Sequence, residues 1–323
     1  NFAFEDIKLA IGAEHDSIGL NLHWGNTTSD NNGFFMLDTK FVPHDNDSAP
    51  RIEVNISPSQ FIFGESTWQL GETNISYDNK EVEIQNLKLS NMNQVLNLKG
   101  YISKDTGKLL SFMIDNVDIG NINRITEPKG YEFGGILSGS GRVANIYDIP
   151  VFTANVNIKD LTINQEELGK LNLSSKWENQ IKAFVVSGTN KYVEMKGIYL
   201  TEQDSIDASI MLKNLKLDIF DKYLNAYEIS GLKGDANGTV MISGSIKQPK
   251  IDGVVNLKQT EFVYDYLKLK ALTEDKVYIG NDRFYFNNFK VVDENGNIGT
   301  INGGIYHDNF KNFRFGLLAN LND

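Results

Sequence analysis

The chain has 323 residues, a formal net charge of −11 and no cysteine. The missing cysteines exclude disulfides, thiolate nucleophiles and cysteine-ligated metal centres. An acidic chain without a basic stripe is a poor partner for nucleic acid or for an anionic membrane surface.

Two-residue alternation of apolar and polar side chains runs through the whole length, the mark of strands with one dry and one wet face. The first stretch, Leu20–Phe41, is broken by the turn signal Asp30-Asn31-Asn32-Gly33. After Pro50 comes Val54-Asn55-Ile56, and then the pairs Val82/Ile84, Leu87/Leu89 and Leu96/Leu98. The turn Asp105-Thr106-Gly107 precedes a marker of the form apolar-x-apolar-x-Asn-apolar: Phe112, Ile114, Asn116, Val117. Residues 117–125 then hold one or two amphipathic helical turns. Beyond Pro150, Val156-Asn157-Ile158 repeats the earlier tripeptide, and Val193/Met195 follows the turn Ser187–Asn190. The marker returns as Ile210, Leu212, Asn214, Leu215, again with a short amphipathic stretch behind it at 217–224. Pro249 leads to Val255-Asn256-Leu257, Phe284/Phe286 follows, and a weak marker stands at Gly316, Leu318, Asn320, Leu321.

The tripeptide recurs at spacings of 102 and 99 residues, and a glycine (Gly100, Gly197, Gly304) lies 16 or 17 residues before each marker asparagine. Self-similarity of this kind points to a stacked array with long continuous surfaces. The expected units are 1–107, 108–205 and 206–312 within one β-repeat body. Residues 313–323 open a further unit, and the chain reads as a piece of a longer protein. At ordinary strand lengths the array would hold about 25–30 strands. The fold class expected is all-β: an elongated repeat array with a long, curled, antiparallel-rich sheet and short helical connectors. The apolar face either lines an open groove or packs on a second layer as a sandwich.

Chemical motifs are sparse. The histidines His15, His23, His44 and His307 lack metal-binding spacing, and His44-Asp45-Asn46-Asp47, between Pro43 and Pro50, reads as a solvated loop. Gly139-Ser140-Gly141-Arg142-Val143-Ala144 matches the dinucleotide fingerprint in letters, but alternation rather than a helix follows it. Asp293, Asn295 and Asn297 begin like a calcium loop, yet Ile298 and Gly304 stand where that loop needs Gly and Glu; a hairpin is the reading. No catalytic residue, metal or cofactor is expected.

One segment carries a family likeness. Gly231, Gly234 and Gly238, then Val240, Ile242 and Gly244, then Pro249, Ile251, Gly253, Val255 and Leu257 resemble the recurring segment of the TamB/AsmA-like family. A looser copy runs from Gly135, Gly139, Gly141 and Val143 to Pro150, Val156 and Ile158. The likeness covers most of residues 100–323. It implies a periplasmic protein tethered to the inner membrane of a diderm envelope, with a β-sheet rolled into an apolar-lined groove (a β-taco). It further implies transfer of phospholipid between the membranes, and, in the TamB branch, outer-membrane protein assembly with an Omp85-type barrel. The expected groove lining is Phe112, Ile114, Val156, Ile158, Val193, Met195, Ile210, Leu212, Val240, Ile242, Val255, Leu257, Phe284 and Phe286. A third reading, a surface array binding polysaccharide, needs an exposed aromatic row on the polar face, and no such row is visible in the sequence.

Overall fold

Alternating side chains can bury one face only if neighbouring strands keep register, because a one-residue slip turns every side chain over. The computed structural model describes residues 6–25, 32–44, 49–63, 66–148, 150–308 and 311–321. Among the described residues it is all-β, with 23 strands in antiparallel pairing and no helix longer than four residues. The strands are fewer than 25–30 because several are long; two reach 17 residues each. Asp30, Asn31 and Asp45–Asp47 lie outside the described residues.

The chain divides into two compact units, 1–121 with 136–156, and 122–135 with 157–323. The first unit holds β1 (Lys8–Glu14), β2 (Ser17–Trp24), β3 (Gly33–Val42), β4 (Arg51–Ile56), β5 (Ser59–Phe63), β6 (Ser66–Leu70), β7 (Thr73–Asp78), β8 (Glu81–Asn91), β9 (Gln94–Ile102) and β10 (Leu109–Asp118). β11 (Phe133–Ala144) and β12 (Val151–Ile163) contribute residues to both units. The second unit holds β13 (Glu166–Glu178), β14 (Ala183–Thr189), β15 (Val193–Leu200), β16 (Ser205–Lys216), β17 (Ile229–Ser245), β18 (Gln248–Tyr264), β19 (Leu269–Thr273), β20 (Lys276–Ile279), β21 (Arg283–Asp293), β22 (Ile298–Asp308) and β23 (Lys311–Leu321).

Each unit is a meander with one split layer. In the first, β3 pairs with both β4 and β5, and β8 with both β7 and β6, so short strands share the length of a long one. In the second, β18 and β21 are bridged by β20 along one stretch and by β19 along another.

The marker pattern proves to be a β-bulge. Register shifts fall between Ile114 and Val117 and between Leu212 and Leu215. Asn116 and Asn214 take φ of 52° and 49° there, the left-handed conformation that a short polar side chain tolerates. The weak third copy pairs with the preceding strand, Asn320 opposite Thr300. Further copies of the bulge stand at Val82, Ile84, Asn86, Leu87 and at Phe284, Phe286, Asn288, Phe289, each with its own shift.

Opposite the second apolar residue of every copy stands a glycine: Gly100 faces Ile84, Gly139 faces Ile114, Gly238 faces Leu212 and Gly303 faces Phe286. A Cβ on any of the four would stand 2.0–2.5 Å from a carbonyl oxygen of the strand on the other side. Bulge and close backbone approach together bend a sheet locally. The glycines that matter are thus on the strand after the marker, which corrects the pairing of Asn116 with Gly100 and of Asn214 with Gly197.

Both expected connectors form as short turns, Ile119–Lys129 and Leu217–Tyr227. Their apolar residues Ile119, Leu217 and Ile219 are buried. In the second unit, the Asn123 side chain donates to the Phe133 carbonyl and accepts from its N–H, both at 2.8 Å. Asp221 accepts from the N–H of Leu232 at the matching place. Buried Asn164 (φ 52°) joins the two sites: its Oδ1 accepts from the Glu132 N–H and its Nδ2 donates to the Ile219 carbonyl, each at 3.0 Å. Asn164→Ala strands both groups, so about 2 kcal/mol of stability should be lost. Amide exchange around Glu132 and Ile219 checks this, with Asn164→Gly expected to recover only the backbone share.

Candidate functional site: an unbroken apolar face

Directly opposed residues on antiparallel strands share a face. In the second unit that rule traces one row through ten positions: Leu173, Gly188, Met195, Ile210, Val240, Gly253, Ile279, Phe284, Ile305 and Phe315. Every member is apolar or glycine. A parallel row runs Val193, Leu212, Gly238, Val255, Val277, and another Val186, Gly197, Ala208, Ile242, Ile251. Leu215, Ala236 and Leu257 line up beyond the bulge. At the other margin Trp177, Phe184 and Tyr199 stand in register, with Trp177 edge-on to Phe184 at 4.8 Å and Phe184 stacked on Tyr199 at 6.5 Å.

In the first unit the equivalent row is Ile18, Thr39, Val54, Ile75, Ile84, Gly100, Leu110, Val143. Leu98, Phe112 and Gly141 lie beside it. The Phe112 ring occupies the space above Gly141, where a Cβ would come within 2.4 Å of it.

Of the fourteen residues expected to line a groove, Phe112, Ile114 and Val156 belong to the first unit and the other eleven to the second. Val156 packs beside Gly139, the partner of Ile114. Met195, Ile210 and Val240 are direct neighbours; so are Val193 and Leu212. Val255 sits between Gly238 and Val277, and Leu257 faces Ala236. Phe284 lies between Ile279 and Ile305, and Phe286 opposes Gly303. Ile158 stands beside Gly135, and Ile242 between Ala208 and Ile251. Thirteen of these side chains are half-buried and only Val255 is fully buried. Two tightly interdigitated sheets would bury such positions almost completely.

The opposite face of the second unit is wet. Glu194 pairs with Lys196 and Lys213, each at 2.7 Å; hydrogen bonds from those two ammonium groups pull its carboxyl down to about 2. Asn256, between Asn237 and Lys276, is exposed.

The remaining motifs resolve into structure. Gly139–Ala144 is strand, its glycines filled over by Val156 and Phe112. Asp293 folds its own hairpin, accepting from the N–H groups of Asn295 and Asn297 at 2.9 and 2.8 Å, and these bonds lower its pKa. His44 contacts Asp78 at 3.0 Å. No group of three metal-ligating side chains forms among the described residues, and no helix there is long and apolar enough to cross a membrane.

Sequence reasoning missed the glycines and alanines of the rows and the Trp177–Phe184–Tyr199 cluster, because glycine carries no hydropathy signal and register is non-local. No family model matches the chain, and no curated protein and no solved structure matches it either.

Proposed function

We propose that this chain is a non-catalytic acyl-chain groove, a segment of a TamB/AsmA-like periplasmic protein tethered to the inner membrane. It shields or conducts phospholipid tails between the inner and outer membranes. The observation that carries the reading is the ten-position apolar row of the second unit, half-buried along nearly its whole length. Apolar surface of this extent left to water is unfavourable and calls for an occupant. A hydrocarbon tail gains about 0.8 kcal/mol for each methylene it buries. Ile, Val, Leu and Phe offer it no hydrogen bond that would fix it in place, so tails slide between near-equivalent sites. The groups behind the row, from Glu194 to Asn256, keep the other face in water.

The test is mass spectrometry of organic extracts from the chain purified out of cells. Phospholipid at about one or more per chain is the expected result, and a lipid-free chain would overturn the reading. A second reading, a scaffold for outer-membrane protein assembly with an Omp85-type barrel, works by strand augmentation, a client strand pairing with a sheet edge. In the same extraction, that reading requires strand-like client peptides and no lipid.

A further inference from the structure

The wet face of the second unit carries a row of its own. Val254, Tyr278, Tyr285, Gly304 and Gly316 are directly opposed across β18, β20, β21, β22 and β23. Tyr278 and Tyr285 are 37% and 42% exposed, with ring centroids 6.2 Å apart. Beside that row runs a second, Arg283–Tyr306–Arg314. No side chain rises from Gly304 or Gly316, and Tyr306 lies down in the space they leave, 3.1 Å from where a Gly316 Cβ would stand. The Arg283 guanidinium sits 5.8 Å from the Tyr306 ring centre.

We propose that this surface is a binding platform for a linear polysaccharide bearing carboxylates. Three features select that class. Tyr278 and Tyr285 are each more than a third exposed, and the C–H faces of a sugar ring pack on the electron-rich face of an aromatic. No hydrogen bond joins the hydroxyls of Tyr278, Tyr285 or Tyr306 to a described protein group. An apolar partner would bury these hydroxyls and two guanidinium groups without compensation, whereas a sugar hydroxyl satisfies them. Finally, Arg283 and Arg314 meet Asp282 and Asp308 only at 3.7 and 3.8 Å, with both arginines well exposed. Their forked donors are free to take a ligand carboxylate in two-point fashion. The row from Tyr278 to Gly316 crosses four strands, roughly 15 Å at ordinary strand spacing, which suits a ligand of several sugar rings lying flat. Nucleic acid could also stack on tyrosine, and the comparison with single-stranded DNA below separates it from a polysaccharide.

Native affinity electrophoresis of the whole chain in gels containing polygalacturonate, dextran or single-stranded DNA tests the proposal. Polygalacturonate should retard the chain and dextran should not. Tyr285→Ala should weaken the retardation about tenfold, and Tyr285→Phe, which keeps the ring and loses only the hydroxyl, should weaken it less. Joint Arg283→Gln and Arg314→Gln should remove it. No retardation in polygalacturonate overturns the proposal, as does equal retardation in dextran, stronger retardation in DNA, or indifference to Tyr285→Ala. Ile242→Asp, on the apolar face, should leave polygalacturonate binding unchanged, so this platform and the acyl-chain groove stand or fall separately.

Discussion

Gly303→Ala should destabilise the second unit by about 4 kcal/mol, more than almost any other single methyl added to this chain. Two effects combine. Gly303 holds φ at +115°, outside even the left-handed region that other residues visit, at about 1–3 kcal/mol of strain. Its added Cβ would stand 2.1 Å from the carbonyl oxygen of Gly316. That contact is with backbone, which cannot swing aside as a side chain does, so overpacking adds about 1–3 kcal/mol. Gly100 in the first unit has the same φ, within a degree, and meets the Leu109 carbonyl at 2.0 Å; Gly100→Ala should match it. Gly12 meets nothing within 4 Å, so Gly12→Ala should stay within about 0.5 kcal/mol of the parent. Thermal melts resolve the three variants, and hydrogen exchange localises the loss to β21–β23 or to β8–β10. If Gly303→Ala and Gly12→Ala melt alike, the glycines are not the bends of the sheet.

The alternation of apolar residues made strand, face and connector legible in the sequence, since each depends on side chains close along the chain. Ile210, Leu212 and Asn214 announce an inward pair and a recurring marker from six residues alone. That the marker is a bulge was hidden. A bulge is completed by a glycine on the next strand, 14 to 24 residues away, and only pairing reveals which one. For the same reason Asn288, a further copy, passed as ordinary alternation within Phe284/Phe286. The aromatic row on the wet face was invisible for a related cause. Tyr278, Tyr285 and Tyr306 lie on three different strands, and each alone is an unremarkable tyrosine at an outward position.

Register also decides which substitutions should silence the apolar face. Ile242→Asp places a carboxylate between Ala208 and Ile251, with Val240 two residues along the same strand face. An ionised group there holds water, and water displaces whatever part of an acyl chain would lie across the position. Losing about three methylene contacts at about 0.8 kcal/mol each forfeits some 2.4 kcal/mol, roughly sixtyfold in occupancy by the usual conversion. Phospholipid recovered per chain should therefore fall at least about tenfold. Leu257→Lys is expected to do less, because a lysine stem lies along apolar surface and lifts its charge toward water. Asn256→Lys changes the neighbouring residue but points to the other face, beside Lys276, and should leave lipid recovery unaltered. The decisive comparison is thus between adjacent residues with opposite orientation. Equal loss at 256 and 257 would mean that charge anywhere on β18 disturbs the fold, and the apolar row would then have no claim to be the site.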